Sequence, residues 1–459
     1  MTHYDAVVIG GGTGNSVASA AAERGFETAL IEPGPLGGTC LNRGCNPSKM
    51  LIHRADVANE IRGAGQFGID AGIQDVGFES VVREVTSTLA GLAENKEASL
   101  REQDGLTLYD EYAQFTGERT LDVGGEEVTG ERVVVAAGSR PSTPPIDGLE
   151  AVDYLTSTDA VRLEERPDEL VVLGGGYIAA ELGYFYESMG TAVTMIEMED
   201  SLVPREDADV AETFTEVARR RHDVYTGYRA TAVAEEGGRV TLNAESEDGE
   251  EIEVAGEELL VALGRRPNTD DLAVEAAGIE TNEGGFVETD AYLATTAENV
   301  WAMGDIADNY MFKHSGDYEG EIVTENAFGD GQERADWSGM AHAIFTEPEM
   351  AATGKTEGEL EETGREYVVG REEYTNVAMA KARKIEEGFV KVLADPADGE
   401  ILGCHIVGPE APDLIHEVVV ALRSGSGTVG DVADAIHVHP ALSKVVKYAF
   451  ENARQSVEG

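Results

Sequence analysis

The chemistry of this chain starts from two cysteines separated by four residues, Cys40 and Cys45, in the segment GGTCLNRGCNPSKM. The 459 residues contain one other cysteine, Cys404. A disulfide framework favours several cysteines in a short secreted chain, and a zinc site needs a second pair or nearby histidines, which this segment lacks. The pair therefore indicates a redox-active dithiol that forms and opens a disulfide during turnover.

The element before the cysteines has the pattern of a dinucleotide-binding strand, turn and helix, YDAVVIGGGTGNSVASAAAERGFETALIE. Gly10 and Gly12 suit a tight turn and the close approach of a pyrophosphate to a helix N-terminus. Glu32 ends the second strand about 20 residues on, where a carboxylate accepts ribose hydroxyls. Asn15 replaces the third glycine of the fingerprint, so we expect looser packing between helix and strand there.

A second unit of the same kind, DELVVLGGGYIAAELGYFYESMGTAVTMIE, follows further along the chain. Gly174, Gly176 and Ala179 fill its fingerprint, and Glu197 ends its second strand. Two units of this kind predict two bound dinucleotides.

Three further segments fit this organisation. Val133–Pro145 and Leu259–Leu272 each run from an apolar strand into a glycine turn, as expected where the chain leaves each nucleotide fold. In TTAENVWAMGDIAD, Asp305 follows a strand and a glycine, where a carboxylate can hold a polyol chain such as ribityl. By itself, Asp305 is equally consistent with a helix N-cap.

Together these motifs resemble the flavin-dependent pyridine nucleotide–disulfide oxidoreductases of class I, the family of the glutathione, mycothione, mercuric and dihydrolipoamide reductases. The resemblance covers essentially the whole chain. It implies an α/β fold with two dinucleotide-binding Rossmann-type domains plus a C-terminal α+β dimerisation domain. We expect the first part of the FAD-binding domain at residues 1–145 and the NAD(P)-binding domain at 146–270. The chain should then return to the FAD domain at 271–338 and end in the dimerisation domain at 339–459.

The resemblance also implies roles for residues around the cysteine pair. Cys45 corresponds to the thiolate that contacts the flavin, and Cys40 to the interchange thiol that attacks the substrate. Lys49 corresponds to the lysine near the flavin, and Glu181 to its carboxylate partner. Tyr177 stands where the family gates access of the nicotinamide.

The remaining implied residues lie in the second half of the chain. Asp305 and His314 fall on segments that line the flavin, and His439 matches the catalytic base, which the family supplies from the partner subunit of a homodimer. Five residues after His439 the family usually has glutamate, whereas this chain has Lys444. A positive charge there lowers the pKa of the histidine, so either another carboxylate, such as Glu451, or a backbone group must support it.

The implied cofactors are FAD and a nicotinamide nucleotide. Low-molecular-weight disulfide reductases of the family mostly use NADPH, and Arg205, eight residues after Glu197, is a candidate for its 2′-phosphate. Glu197 itself repels a phosphate and favours the alternative, NADH.

The charge narrows the class of protein further, because 88 acidic against 34 basic residues give a net charge of −54. Nucleic acid and anionic membranes are disfavoured as partners, since both need a basic face. The chain shows no signal peptide and no apolar run of about 20 residues, which predicts a cytoplasmic protein. Acidic residues dispersed through turns and helix faces are typical of a halophile's protein.

The acidic composition also bears on the substrate. Halophilic archaea of this kind use γ-glutamylcysteine as their abundant thiol, so the resemblance implies bis-γ-glutamylcystine as the disulfide that is reduced. Dihydrolipoamide dehydrogenase is the alternative, although it usually keeps the glutamate that Lys444 replaces. Mycothione- and mercuric-reductase-like activities are further alternatives, and the second cysteine pair usual near the C-terminus of mercuric reductases is missing here.

Salt dependence tests the halophile interpretation. Repulsion between the acidic subunits should weaken at higher ionic strength, so activity and dimer content should rise together from about 0.1 M into molar KCl. Screening is nearly complete at about 1 M, where the Debye length is about 3 Å. Enzyme assays and light scattering across a KCl series measure both quantities, and equal activity in dilute buffer would contradict the interpretation.

Overall fold

The first part of the chain builds a twisted sheet in the computed structural model, which describes residues 1–458. Its elements are, in chain order, β1 (Thr2–Ile9), α1 (Gly14–Glu23), β2 (Thr28–Ile31), α2 (Gly38–Arg43), α3 (Cys45–Gly63), α4 (Phe78–Arg101), β3 (Leu106–Tyr109), β4 (Ala113–Gly117), β5 (Thr120–Val123), β6 (Glu126–Val135) and β7 (Ser139–Pro141). Strands β3, β2, β1 and β6 are parallel neighbours, and β5 and β4 extend the sheet in antiparallel fashion. Alternate side chains of β1 enter apolar clusters on opposite faces, which explains its continuous apolar run.

The second part forms another parallel sheet of the same type. Its elements are α5 (Ser157–Ala160), β8 (Glu169–Leu173), α6 (Tyr177–Ser188), β9 (Ala192–Glu197), α7 (Ala208–Ala218), β10 (Asp223–Thr226), β11 (Tyr228–Glu236), β12 (Arg239–Ser246), β13 (Glu251–Gly256) and β14 (Glu258–Val261). The parallel strands are ordered β10-β9-β8-β14, and β11-β12-β13 form a separate antiparallel sheet that packs against them. The two predicted Rossmann-type units are therefore both present.

The chain then returns to the first sheet. The elements of this return are β15 (Arg265–Pro267), α8 (Thr269–Leu272), β16 (Val300–Ala302) and α9 (Lys313–Phe328). Strand β15 pairs with β7, and β16 adds to β6 in parallel. The segments that leave the two nucleotide folds are thereby joined side by side.

The C-terminal part is an α+β unit, as the resemblance implied. Its elements are β17 (Ala341–Ile344), β18 (Met350–Gly354), α10 (Glu357–Thr363), β19 (Val368–Glu373), α11 (Ala378–Arg383), β20 (Phe389–Ala394), β21 (Ile401–Val407), α12 (Ala411–Ser424), α13 (Val429–Ala433) and α14 (Ser443–Glu458). The antiparallel strand order is β17-β18-β21-β20-β19, and helices α12, α13 and α14 share its apolar cluster. Short 3-10 turns occur at Ala64–Phe67, Leu149–Ala151, Val274–Ala277, Gly304–Ile306 and Tyr374–Asn376.

Helices α3 and α4 connect the two nucleotide folds around the cysteine pair. Buried residues of α4, beginning with Phe78, Val82 and Val85, recur every three or four positions and form one apolar face. The Phe78 ring lies 5.7 Å from that of Phe185 in α6. Because Cys45 is the first residue of α3, this packing fixes the cysteine pair against the second fold.

The expectation of loose packing at Asn15 is wrong, because the neighbouring glycine provides the close approach. A Cβ atom on Gly14 would lie only 2.9 Å from the Ala136 side chain and 3.0 Å from that of Val8. The Asn15 amide instead donates hydrogen bonds to the carbonyls of Gly11 and Gly12. Helix and strand are thus in tight contact, and Asn15 braces the turn.

The described structure contains no helix that could cross a membrane. In residues 1–458, every helix is too short or too polar to span a bilayer.

Candidate active site

The cysteine pair spans two consecutive helices. Cys40 lies within α2, Cys45 opens α3, and Gly44 separates the two helices. Both cysteines are free thiols, so the structure describes the reduced pair. The hydrogen bond from Cys40 lowers the pKa of Cys45 to about 7, against the opposing effect of burial and with help from Lys49. The same hydrogen bond, together with burial, raises the pKa of Cys40. The first thiolate of the pair therefore forms on Cys45, which is partly ionised near neutral pH.

An ion pair between a partly exposed lysine and a buried carboxylate lies beside Cys45. Lys49 Nζ donates to both carboxylate oxygens of Glu181, at 2.6 and 2.5 Å. Glu181 is only 4% exposed, and it also accepts the backbone N–H of Phe345 at 3.1 Å. The Lys49 ammonium lies 4.8 Å from the centre of the Phe345 ring. The predicted Lys49–Glu181 partnership is present, and it includes a residue of the C-terminal part.

One cleft brings together most of the residues predicted for the flavin site. Its lining includes Gly10, Gly12, Glu32, Cys40, Cys45, Lys49, Tyr177, Glu181 and Asp305. Within the described chain, the predicted residues outside this lining are Gly174, Gly176, Ala179, Glu197, His314 and His439. The cleft therefore connects the first nucleotide fold, the cysteine pair and the N-terminus of α6.

The first glycine turn packs closely against the end of β6, and the helix that follows it begins without a cap. Gly10 has φ +108°, and a Cβ atom there would lie 2.2 Å from Ala136 O. The carboxylate of Glu32 accepts the N–H groups of Gly11 at 2.6 Å and Gly34 at 3.0 Å. Burial raises the pKa of Glu32 despite these hydrogen bonds. Helix α1 has no acidic residue in its first turn and no side-chain cap, so its N-terminus suits an anion.

The second glycine turn repeats this geometry. Gly174 has φ +113°, and Glu197 accepts the N–H groups of Gly175 at 2.5 Å and Glu199 at 2.9 Å. Helix α6 also lacks an acidic first turn and a side-chain cap. The two acidic residues that end the second strands, one in each fold, are therefore held in equivalent positions.

Asp305 belongs to a network where the two nucleotide folds meet. Its carboxylate accepts the Ser139 hydroxyl at 2.6 Å and lies 3.6 Å from Arg265 Nε. Arg265 also donates to the hydroxyl and the carbonyl of Ser139, both at 2.7 Å. Ser139 and Arg265, which sequence analysis did not single out, belong to the paired strands β7 and β15 and orient Asp305.

His314 lies at the start of α9, outside the lining of the cleft. Its Nε2–H donates to Ala341 O at 2.7 Å, and its ring stacks on Phe312 with centroids 5.4 Å apart. The ring is therefore held by the C-terminal part of the chain.

The two histidines of HVHP differ sharply in environment. His437 Nε2 lies 2.6 Å from a carboxylate oxygen of Glu417, and its side chain is only 6% exposed. His439 is exposed, in a segment whose apolar residues Ile436 and Val438 are 101% and 73% exposed. The histidine–carboxylate pair of this motif is therefore His437–Glu417. Sequence analysis missed Glu417, because it lies on α12, away from the motif.

The carboxylate proposed as a substitute partner for His439 is engaged elsewhere. Glu451 pairs with Lys447 at 3.5 Å, and Lys447 also donates to the carbonyls of Ala433 and Ala435. Glu451 is thus paired with a lysine in this structure, and the partner of His439 stays a prediction. The Lys444 ammonium lies 5.8 Å from the Tyr448 ring centre.

Comparison with known proteins matches nearly the whole chain. The family model described as "Pyridine nucleotide-disulphide oxidoreductase" matches residues 4–322, and the one for its dimerisation domain matches residues 340–450. Dihydrolipoyl dehydrogenase 3 of Haloarcula marismortui is 35% identical over 99% of this chain and 97% of that protein. Mycothione reductase of Mycobacterium tuberculosis is 34% identical over 99% of this chain and 100% of its own.

A solved structure agrees with these sequence relatives. The HOCl-induced flavoprotein disulfide reductase RclA from Escherichia coli is 28% identical, with a TM-score of 0.86. The superposition covers 98% of this chain and 99% of that one.

Ionisation of the cysteine pair is measurable. In the reduced protein, ultraviolet thiolate absorbance should appear with a midpoint near pH 7, because Cys45 has a lowered pKa. Lys49→Met should move the midpoint to higher pH by removing a nearby cation. Subtracting the titration of Cys45→Ser assigns the signal, and Lys355→Met, at an exposed lysine, is the matched control. An unchanged midpoint in Lys49→Met would contradict the assigned role.

Proposed function

Because the chain belongs to the pyridine nucleotide-disulphide oxidoreductases, we propose that it uses NAD(P)H to reduce a low-molecular-weight disulfide through Cys40 and Cys45. The observation that carries this proposal is the position of both thiols in a cleft that also contains the first glycine turn and the start of α6. The family depends on FAD and a pyridine nucleotide.

The first nucleotide fold fits FAD by the shape and chemistry of its residues. Gly10 and Gly12 line the cleft, the start of α1 is uncapped, and Glu32 presents a buried carboxylate there. We propose that these residues and Asp305 hold the dinucleotide, with Lys49 beside it. His314 lies outside the cleft lining, and a role for it at FAD is implied by the family resemblance alone. When bound, FAD supplies the two-electron exchange between the nicotinamide and the cysteine pair.

The second fold suits the nicotinamide nucleotide through Gly174, Gly176 and Ala179, and Tyr177 is proposed to gate its access. NADPH is the form that the family resemblance implied, but the local charges support NADH. Glu197 is followed closely by Glu199 and Asp200. These carboxylates after β9 would repel a 2′-phosphate. If NADPH is used, the exposed Arg205 is the candidate cation for that phosphate.

The proposed thiol chemistry follows the roles that the family resemblance gives to the two cysteines. Cys40, as thiolate, attacks the substrate disulfide and releases one thiolate that must be protonated. Cys45 then attacks the Cys40 sulfur, which releases the second thiol and forms the Cys40–Cys45 disulfide. Two electrons from NAD(P)H reopen that disulfide, so one disulfide, one NAD(P)H and one proton give two thiols and NAD(P)⁺.

Proton transfer is assigned to the partner subunit's His439. The raised pKa of Cys40 means that its thiol needs a base before attack. His439 is exposed in a segment with exposed Ile436 and Val438, which is the character of a subunit interface. We propose a homodimer in which this histidine completes the active site of the other chain, while His437 and Glu417 support its segment.

The substrate that we propose is bis-γ-glutamylcystine, which is reduced to γ-glutamylcysteine. The dispersed acidic surface and relatives from Haloarcula and Haloferax support a halophilic protein, in which that thiol is expected. Reversible oxidation of dihydrolipoamide is the second candidate, because those relatives are named dihydrolipoyl dehydrogenases. Lys444, in place of the usual glutamate, counts against it.

A substrate panel separates these candidates. Steady-state rates should be measured for bis-γ-glutamylcystine, mycothione, lipoamide, oxidised glutathione and Hg²⁺, each with NADH and NADPH, in molar KCl. We expect the highest kcat/KM for bis-γ-glutamylcystine with NADH. A highest value for lipoamide would select the second candidate, and no disulfide reduction with either nucleotide would refute the proposed function.

Trapping a mixed disulfide tests the roles of the two sulfurs. Cys45→Ser should accumulate a substrate thiol bound to Cys40, because the resolving thiol is missing. Cys40→Ser should retain flavin but form no such adduct. Intact-mass measurement detects the adduct, and the opposite pattern would reverse the assignment.

Replacing the two histidines one at a time tests which of them is the catalytic base. His439→Gln should lower disulfide turnover by roughly 10²–10⁴-fold, the usual range for a positioned acid–base group, and leave reduction of the enzyme by nicotinamide nearly intact. His437→Gln is the matched variant, in which we expect mainly a lower melting temperature. If His437→Gln alone causes the loss of turnover, the base has been misassigned.

A further inference from the structure

The loop between β9 and α7, residues 198–207, packs directly on the second glycine turn. The Val203 N–H donates to Gly175 O at 2.8 Å, and the Gly175 N–H donates to Glu197. A Cβ atom on Gly175 would lie 2.8 Å from the Leu202 side chain, which is fully buried. Both backbone groups of the middle glycine are therefore bound within the fold, so the loop fixes the orientation of the turn.

Val203 makes this contact in a strained conformation. Its φ is +46°, in the left-handed region that a β-branched residue rarely adopts, and it is only 3% exposed. The Glu206 N–H donates to Val203 O at 2.9 Å, which closes a β-turn with Pro204 in its second position. A conformation of this kind persists only where neighbouring contacts hold it. The loop therefore needs an anchor close to Val203.

Glu206 provides that anchor through a histidine of the C-terminal part. Its carboxylate, on a side chain that is 6% exposed, lies 2.7 Å from His342 Nε2. Burial lowers the pKa of His342, but the hydrogen bond and the charge of Glu206 raise it overall, so the contact has ionic character. A continuous series of three hydrogen bonds thus leads from β17, through Glu206 and Val203, to the glycine turn.

The same histidine also contacts the wall of the cleft that contains the cysteine pair. The His342 ring stacks on Phe312, with centroids 5.7 Å apart and an angle of 15° between the planes. Phe312 lines the cleft and also stacks on His314. His342 is therefore held by the cleft on one side and holds the nucleotide loop on the other.

The neighbouring ion pair fixes a different part of the loop. Asp207 accepts a hydrogen bond from Lys391 at 2.8 Å and caps α7 by accepting the Asp209 N–H at 3.3 Å. It also accepts the N–H of Glu357 at 3.0 Å. These contacts hold the start of α7, whereas Glu206 holds the turn that precedes it.

We propose that Glu206 and His342 are positioning residues for the nicotinamide nucleotide, because their contact holds the glycine turn that is proposed to bind it. This inference rests on the proposed use of NAD(P)H and adds two residues that the glycine fingerprint does not include. Both act through Val203 and the turn. Loss of the contact should therefore weaken nucleotide binding and leave the rate at which bound nucleotide reduces the enzyme nearly unchanged.

Two measurements on the holoenzyme in molar KCl separate these quantities. Calorimetric titration of the oxidised enzyme with NAD⁺ gives the Kd without turnover, and rapid mixing with NADH gives the limiting rate of reduction. NADP⁺ and NADPH are used in the same way if the enzyme prefers them. His342→Leu should raise the Kd roughly tenfold, the order expected for loss of a hydrogen bond to a charged group. His342→Gln, whose amide can donate in place of Nε2–H, should restore binding.

A double-mutant cycle assigns the effect to the pair. Glu206→Gln combined with His342→Leu should raise the Kd by less than the product of the two single effects. His437→Gln is the matched control, because it breaks a histidine–carboxylate pair of similar length, 2.6 Å, that lies wholly in the C-terminal part. We expect its Kd for the nucleotide to equal that of the wild type.

Val203→Gly tests the strain in the loop. Glycine adopts a positive φ without a steric penalty, so the turn should depend less on its anchor. The factor by which His342→Leu raises the Kd should therefore be smaller in the Val203→Gly background than in the wild type. Loss of the buried valine side chain affects both members of this comparison and cancels. Equal factors in the two backgrounds would contradict the proposal.

The remaining outcomes separate the inference from the proposed function. If His342→Leu lowers only the melting temperature, or if His342→Gln binds as weakly as His342→Leu, the inference fails and the disulfide reductase stands. Should His342→Leu not fold, Glu206→Gln carries the same prediction for the Kd. If the wild type is reduced by neither NADH nor NADPH, the proposed function fails first.

Discussion

The ion pair between Lys49 and Glu181 is the interaction on which the site depends. It joins α3, which begins at Cys45, to α6 of the second nucleotide fold, and the N–H of Phe345 adds the C-terminal part. Removing the Lys49 charge would leave the Glu181 carboxylate buried without its cation, which is costly. The same cation also lowers the pKa of Cys45. The contact that unites three parts of the chain therefore also contributes a cation to the ionisation of Cys45, after the larger effect of the hydrogen bond from Cys40.

A second constraint acts where the two nucleotide folds leave their sheets. Strands β7 and β15 pair there. Arg265 donates a hydrogen bond to Ser139 and forms an ion pair with the carboxylate of Asp305. A carboxylate that serves a ligand needs a fixed orientation, which neighbouring donors provide. Because one donor comes from each fold, the position of Asp305 depends on both folds being in register.

Whether the sequence predicts a feature of this site depends on how far apart in the sequence the interacting residues lie. The two glycine turns and the cysteine pair are local patterns, so their placement follows from the order of strand, turn and helix. Glu181 was assigned through family resemblance, and its salt bridge to Lys49 is present. The Glu417–His437 pair was not predicted, because it joins α12 to a distant loop. Loose packing between helix and strand was expected at Asn15, whereas the contact is close. The fingerprint does not include Gly14, which allows that contact.

Because acidic residues far outnumber basic ones, a few cations make several of the ion pairs between parts of this chain. Lys391 is 1% exposed and is bound by Asp207 at 2.8 Å and Glu357 at 2.5 Å, which links the second nucleotide fold to the C-terminal part. Burial opposes its charge, but these carboxylates raise the pKa of Lys391. Salt screens charges at the surface far more than buried pairs. Concentrated salt can therefore relieve repulsion among exposed carboxylates and still leave Lys391, at the junction of the second nucleotide fold and the C-terminal part, in full effect.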